Sequence, residues 1–442
     1  MLFDKRSLKK LILPIMVEQV LAFTVGMADM VMVAHAGEAA VSGVSLIDTL
    51  SNLLICLYSA LATGGAVVSA QFIGRQDKKG ASKAANQLIL VMSLVSIVIL
   101  TICLCFNRQI IAVVYGKIDA DIRSNAEIYF FVVSISMPFL ALYNGCAALF
   151  RSMGNSKICM KISLFMNGIN ICGNAVFVYV FHMGAKGVGL ATMISRMAAA
   201  VMILNLLRRP ELPLSIDAKF RLGWDYGIIK KILYIGVPTG FENSMFQIGK
   251  LLLASLVSTF GRVEISGNAV ANGITNFGII PGNAIGLALV TIVGQCIGAN
   301  DSEQAYQNTK KLIKDAYKYM IILNILMAVL SHPLVQVYGM SDEVNWVAQR
   351  IILYHCVACC IIWPMSFMIP HALRAANDVK FTMVVSVFSM WAFRICFAFL
   401  LAKHLELKAL GVWLAMFIDW TFRGIVFGQR FRKKRLEPPR NL

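Results

Sequence analysis

The chain has 442 residues, of which 58% are hydrophobic and 14% charged, with a formal net charge of +18. A soluble domain carries about 25% charged residues, so this composition excludes a globular protein coated by water. The basic residues sit in short loops between apolar runs, which excludes nucleic acid as the partner and leaves the lipid bilayer.

Apolar runs long enough to cross a ~30 Å hydrocarbon core fall at about 10–34, 45–73, 84–106, 125–150, 158–182, 186–207, 232–260, 267–298, 314–331, 345–373, 381–402 and 408–429. They predict an all-α membrane protein of twelve transmembrane helices, numbered here as spans 1 to 12. The first run follows Lys5, Arg6, Lys9 and Lys10 and ends at Ala34-His35-Ala36, loosely a signal-cleavage pattern. It is longer than a signal core and contains Glu18 and Asp29, so it is expected to stay in the mature chain.

One set of alternate loops is rich in Lys and Arg, including both termini, Arg75 to Lys83, Arg151 and Lys157, Arg208 to Lys231, and Arg374 and Lys380. The other set is sparse, holding Arg108, Lys117, Arg123, Lys186, Arg262, Lys403 and Lys408. The rich set is expected to be cytoplasmic, in the plasma membrane, with both termini inside. Most of the eleven cysteines lie within apolar runs. Helix packing accounts for them, including the Cys-x-x-Cys spacing at Cys356 and Cys359.

The stretch from Pro14 reappears from Pro238 in one gap-free register. Glu18 meets Glu242, Gly37 meets Gly261, Ser42-Gly43 meets Ser266-Gly267, Asn52 meets Asn276, and Gln71 to Gly74 meets Gln295 to Gly298. The register returns where Gly187 to Ala191 meets Gly411 to Ala415, and Arg151 and Lys157 match Arg374 and Lys380 nearby. Each unit has six spans and starts on the same side, so these are parallel repeats, a transporter architecture in which two halves rock about a site. The expected division is an N-lobe at 1–207, a cytoplasmic linker at 208–231, a C-lobe at 232–429 and a basic tail at 430–442.

An ionised group at mid-membrane costs about 2.5–3.5 kcal/mol on insertion scales, so those within spans need a partner or a task. Glu18 and Asp29 in span 1 are close to three helical turns apart and share a face. Asp29 reads as functional, whereas Glu18 lies in a cavity or merely at the cytoplasmic boundary. Glu242 and Lys250 in span 7 pair through the cavity, bias substrate charge, or leave Lys250 structural. In span 5, Asn167 is joined by Asn170 and Asn174 on one face, and span 6 offers Thr192. Each has an ordinary packing explanation. Together with Asp29 they are also the oxygen set that a weak Na⁺ or proton site requires. Arg394, Asp419 and Arg423 read as a structural ion-pair network, and Asp48 stays unassigned. Prolines 138, 238, 281, 364 and 370 fall in or near spans and predict kinks.

No Walker, H-E-x-x-H or G-x-S-x-G motif is present, so no enzyme and no cofactor are expected. Ion gradients are the remaining energy source.

Gly26-Met-Ala-Asp29 with Met32 to Gly37, Ala70 to Gly74, Arg151-Ser-Met-Gly-Asn155 and Gly187 to Thr192 together resemble the multidrug and toxic compound extrusion (MATE) family over essentially the whole chain. The resemblance implies a V-shaped, two-lobe exporter driven by Na⁺ or H⁺. It places ion coupling at Asp29, Asn170, Asn174 and Thr192, while the intramembrane polar residues themselves leave Glu18, Asn167, Glu242 and Lys250 as candidates for the substrate cavity. Many members have an acid where Asn174 stands. In others a seventh-helix Glu works with a tenth-helix Asp; here Glu242 lies about one turn earlier and span 10 has no buried acid, which favours coupling in the first half. The expected function is a monomeric antiporter for small organic, often cationic, compounds. Its rivals are a lipid-linked precursor flippase of the same superfamily and, in another class, a channel or receptor.

Overall fold

The computed structural model describes residues 4–34, 37–116, 118–216, 223–434 and 436–437. His35, Ala36 and Lys117, named above, lie outside them, as do Lys219 and Arg221 of the expected linker and Arg435 and Arg440 of the expected tail. With broken helices joined, the helices among the described residues fall into segments that are numbered here as the expected spans. The first six are Lys5–Ala34, Glu38–Gly74, Lys78–Cys105, Ala120–Ser152, Ser156–Asn174 continued by a π-helical turn Ala175–Val180, and Gly184–Leu207. Span 7 is Tyr226–Ser258, and span 8 is broken into Arg262–Gly278 and Ile280–Gly298. Span 9 is Ser302–Val329, span 10 is Asp342–Ile361 followed by Trp363–Ala375, span 11 starts at Val379–Ser389, and span 12 is Lys408–Lys434. Ten of these stretches are by themselves long and apolar enough to cross a membrane.

The helices overrun the apolar runs at most ends because hydropathy marks only the hydrocarbon layer. Asp77 illustrates the extra turn: its side chain accepts from the backbone N–H of Gly80 at 2.8 Å and caps span 3. Asp301 does the same for Gln304 at 2.8 Å, at the start of span 9. Two short helices, Asn107–Tyr115 and Ser331–Gln336, were not legible as spans because each is too short to cross. The break in span 8 lies beside Pro281, whose missing N–H suits the first turn of the new helix. The break in span 10 lies likewise beside Pro364, whereas Pro14, Pro138, Pro238 and Pro370 stay inside continuous helices.

The chain divides into two compact units, one running to residue 240 and the other from 241 onward. In the first, span 4 packs on spans 2, 3 and 6, and span 5 on spans 1 and 6. In the second, span 10 packs likewise on spans 8, 9 and 12. Gly43 and its repeat counterpart Gly267 permit the same close crossing. A Cβ on Gly43 would lie 2.9 Å from the backbone nitrogen of Ala126, and one on Gly267 would lie 2.6 Å from Val347. Apolar side chains such as Ile97, Val98, Phe131, Ile322, Val384 and Phe388 are exposed on the helices, as a lipid-facing surface requires.

The repeat is also written in the backbone. Left-handed φ values recur in pairs at Gly37 (99°) and Gly261 (93°), Gln76 (59°) and Asn300 (58°), Gly116 (64°) and Gly339 (62°), and Gly154 (80°) and Asn377 (64°). His182 (51°) and Glu406 (53°), and Gly184 (55°) and Lys408 (49°), complete the series. Non-glycine residues rarely adopt this region, so its recurrence at matched positions shows that both units use the same connections. None of the eleven cysteines is joined in a disulfide.

Candidate cation site

Three helices of the first unit bring the four expected coupling residues together. Asn170 and Asn174 stand one turn apart on span 5. The Asn174 side-chain amide donates to Asp29 Oδ1 of span 1 at 2.6 Å and to Asn170 Oδ1 at 3.4 Å. Asn170 in turn donates to Thr192 Oγ1 of span 6 at 3.3 Å. Asn170, Asn174 and Thr192 are buried, and Asn174 Oδ1 has no hydrogen-bond partner. A buried acceptor without a donor is costly. Beside a carboxylate, it is a position that a hard cation would complete. The fit is therefore positive: one carboxylate, two amide oxygens and one hydroxyl within a single connected chain.

Charges beyond this chain frame it. Tyr129 donates to Asp48 Oδ1 at 3.0 Å, and Arg196 donates to Ser136 Oγ at 2.8 Å. Asp48 and Arg196 both interact electrostatically with Asp29. Arg196 escaped the sequence reading although a lone arginine inside span 6 was itself a signal. Asp48, unassigned above, now has a partner.

Glu18 and Glu242 are each held in an ion pair. Arg151 meets Glu18 at 3.1 Å in the first unit, and Arg374 meets Glu242 at 2.8 Å in the second. The expected pairing of Glu242 with Lys250 is thereby corrected: Arg374, read above as a loop cation, ends span 10 where its long side chain reaches back to the carboxylate. Both glutamates are buried. Asn167 is also buried, with its amide nitrogen unpartnered. Lys250 lines a separate cavity of the second unit with Arg394.

The expected ion pairing of Asp419 with Arg394 and Arg423 is corrected too. No nitrogen–oxygen contact within 4.0 Å joins them among the described residues. Asp419 instead accepts a short hydrogen bond from Ser389, and Arg423 lies 5.1 Å from the Phe246 ring centre and 4.7 Å from that of Phe367. The three charges still interact electrostatically, with aromatic faces taking the role expected of the carboxylate.

The MatE family model matches this chain twice, over residues 14–176 and 238–400, in the same register as the internal repeat. The chain is 27% identical over 436 residues to the uncharacterized transporter YisQ of Bacillus subtilis (strain 168), covering 97% of this chain and 94% of the relative. It is 25% identical over 434 residues to the probable multidrug resistance protein NorM of Thermotoga maritima, covering 95% and 90%. Its fold superposes on the crystal structure of MATE in the bent conformation with a TM-score of 0.90 at 19% identity, covering 98% of this chain and 95% of that one. With a twofold family match spanning most of its length, set on two repeats of apolar helices, the chain belongs to the MatE family of membrane transporters.

Proposed function

We propose that this transporter is a multidrug exporter of the plasma membrane that moves small organic, often cationic, compounds outward in exchange for Na⁺ or H⁺, with both termini cytoplasmic. The observation that carries the reading is the chain Asp29–Asn174–Asn170–Thr192, which offers an ion a carboxylate and neutral oxygens on three helices. The likeness to NorM, whose name marks it as a probable multidrug resistance protein, supports the substrate class.

An ion arriving at Asp29 competes with the Asn174 amide for the carboxylate. The amide's loss from the carboxylate would free the span 1–span 5 contact, and its return would restore it. Only such a difference between two states lets an ion shift a conformational equilibrium. In a one-for-one exchange of monovalent cations no net charge moves and the ion's concentration gradient drives export; where the substrate is neutral, or more than one ion enters per organic cation, the membrane potential adds about 2.3 kcal/mol per net charge for each ~100 mV.

Efflux of a fluorescent organic cation from proteoliposomes under imposed Na⁺ or H⁺ gradients tests the function. Acceleration by one inward gradient, abolished by its ionophore, supports antiport. Flux that ignores both gradients would assign a channel.

A further inference from the structure

The repeat carries the cation site of the first unit onto a cavity of the second, and the charge there is of the opposite sign. In the repeat register Asp29 falls on Leu253, Asp48 on Asn272, Asn170 on Arg394 and Thr192 on Met416. All four of these counterparts line one cavity of about 310 Å³, together with Lys250. Where the first unit places two carboxylates, the second places none, and two cations enter the wall.

Among the described residues, no carboxylate lines this cavity. Asp419 interacts with Arg394, but it is fully buried outside the lining and is shared with Arg423. The Glu242 carboxylate is already held by Arg374 at 2.8 Å. Among Arg394, Arg423 and Asp419 the balance is one positive charge, and Lys250 adds an exposed cation to the wall. Burying a cation without a matching anion is costly, and the Arg394 Nε is buried without a hydrogen-bond partner.

The hydrogen-bonding groups agree with the charge. The Trp413 indole, which can only donate, gives its N–H to Asn268 Oδ1 at 2.8 Å. That turns the Asn268 side-chain carbonyl toward the tryptophan. The remaining wall combines the amides of Asn272 and Asn276 with an apolar face of Leu253, Val257, Met416 and the Trp413 ring. A site with a cationic end and an apolar face matches an amphiphilic anion.

The geometry points to a binding site for a small organic monocarboxylate, its carboxylate on Arg394 and Lys250 and its body against Leu253, Met416 and Trp413. The site lies wholly in the second unit and is independent of the coupling assigned to Asp29.

Radiolabelled benzoate binding to the purified full-length chain, corrected for empty micelles, tests this without any gradient, so it stands or falls separately from the export reading. Saturable binding is expected that unlabelled benzoate displaces and the neutral benzamide does not. Lys250→Gln and Arg394→Gln should each weaken it by about ten-fold or more, the scale of one lost charge-assisted hydrogen bond, while Lys250→Arg retains it. Lys250 is exposed, so its variants keep the test valid if Arg394→Gln fails to fold. Equal displacement by benzamide, or unchanged affinity in Lys250→Gln, would overturn the proposal. Displacement by chloride as effective as by benzoate would overturn the organic ligand and assign an inorganic-anion site.

Discussion

Arg374 donates to a Glu242 carboxylate oxygen at 2.8 Å, and the pair stands in the second unit where Arg151 and Glu18, 3.1 Å apart, stand in the first. In each unit the carboxylate comes from the opening helix of the repeat and the guanidinium from the end of its fourth. Each pair thus ties its first helix to its fourth at the same level, and the geometry is kept although most surrounding side chains differ.

Breaking one member of such a buried pair leaves an uncompensated charge and costs about 3–5 kcal/mol. The Glu242 pair is more enclosed than the Glu18 pair, with side chains 9% and 4% exposed against 17% and 11%. Glu242→Ala is therefore expected to lower the thermal midpoint in detergent more than Glu18→Ala. An equal, negligible shift in both would show that the pairs are solvated.

Asn174 offers a second test. Asn174→Asp places another carboxylate against Asp29, where Asn174 Nδ2 now donates at 2.6 Å. Two adjacent carboxylates cannot both stay ionised without a counter-ion, so apparent affinity for the driving cation should rise by about ten-fold. The concentration of cation giving half-maximal efflux reads this directly. No change would place the ion elsewhere.

Outside the membrane, Asp225 opens span 7. Its side chain meets Lys83 at 2.5 Å and accepts from the backbone N–H of Ile228 at 3.0 Å. The Lys83 ammonium, with the Ile228 N–H, holds this carboxyl below the usual range. A carboxyl lowered by folding stabilises above its ordinary value of about 3.9, and the contribution is lost as pH falls through the lowered value. Asp225→Ala should cost about 1 kcal/mol through the lost cap, and Asp225→Asn less, because Asn still caps and the surface pair is screened. Chemical denaturation at neutral and acid pH measures both, and the difference between wild type and Asp225→Ala should shrink in acid.

The order of spans and the twofold repeat were legible because hydropathy and the matched glycines carry them on the surface of the sequence. The paired turns at Gln76 and Asn300, or His182 and Glu406, were not, since a left-handed φ at these residue types has no sequence signal of its own. The link from Asn174 to Asp29 was reachable from helical spacing and family likeness. The arginine partners of Glu18 and Glu242 were hidden because loop charge counting assigns an arginine at a helix end to water. The aromatic setting of Arg423 was hidden for a related reason: charge pairing within a helix suggests an ion pair, and only packing shows which face the guanidinium meets.

The most direct test of the central claim is ion flux driven by substrate in proteoliposomes, compared between wild type and Asp29→Asn. An outward organic-cation gradient should pull Na⁺ or H⁺ inward through wild type. The isosteric variant, inserted and folded to the same extent, should move neither ion against substrate. Substrate-coupled ion flux that survives the substitution would contradict coupling at Asp29.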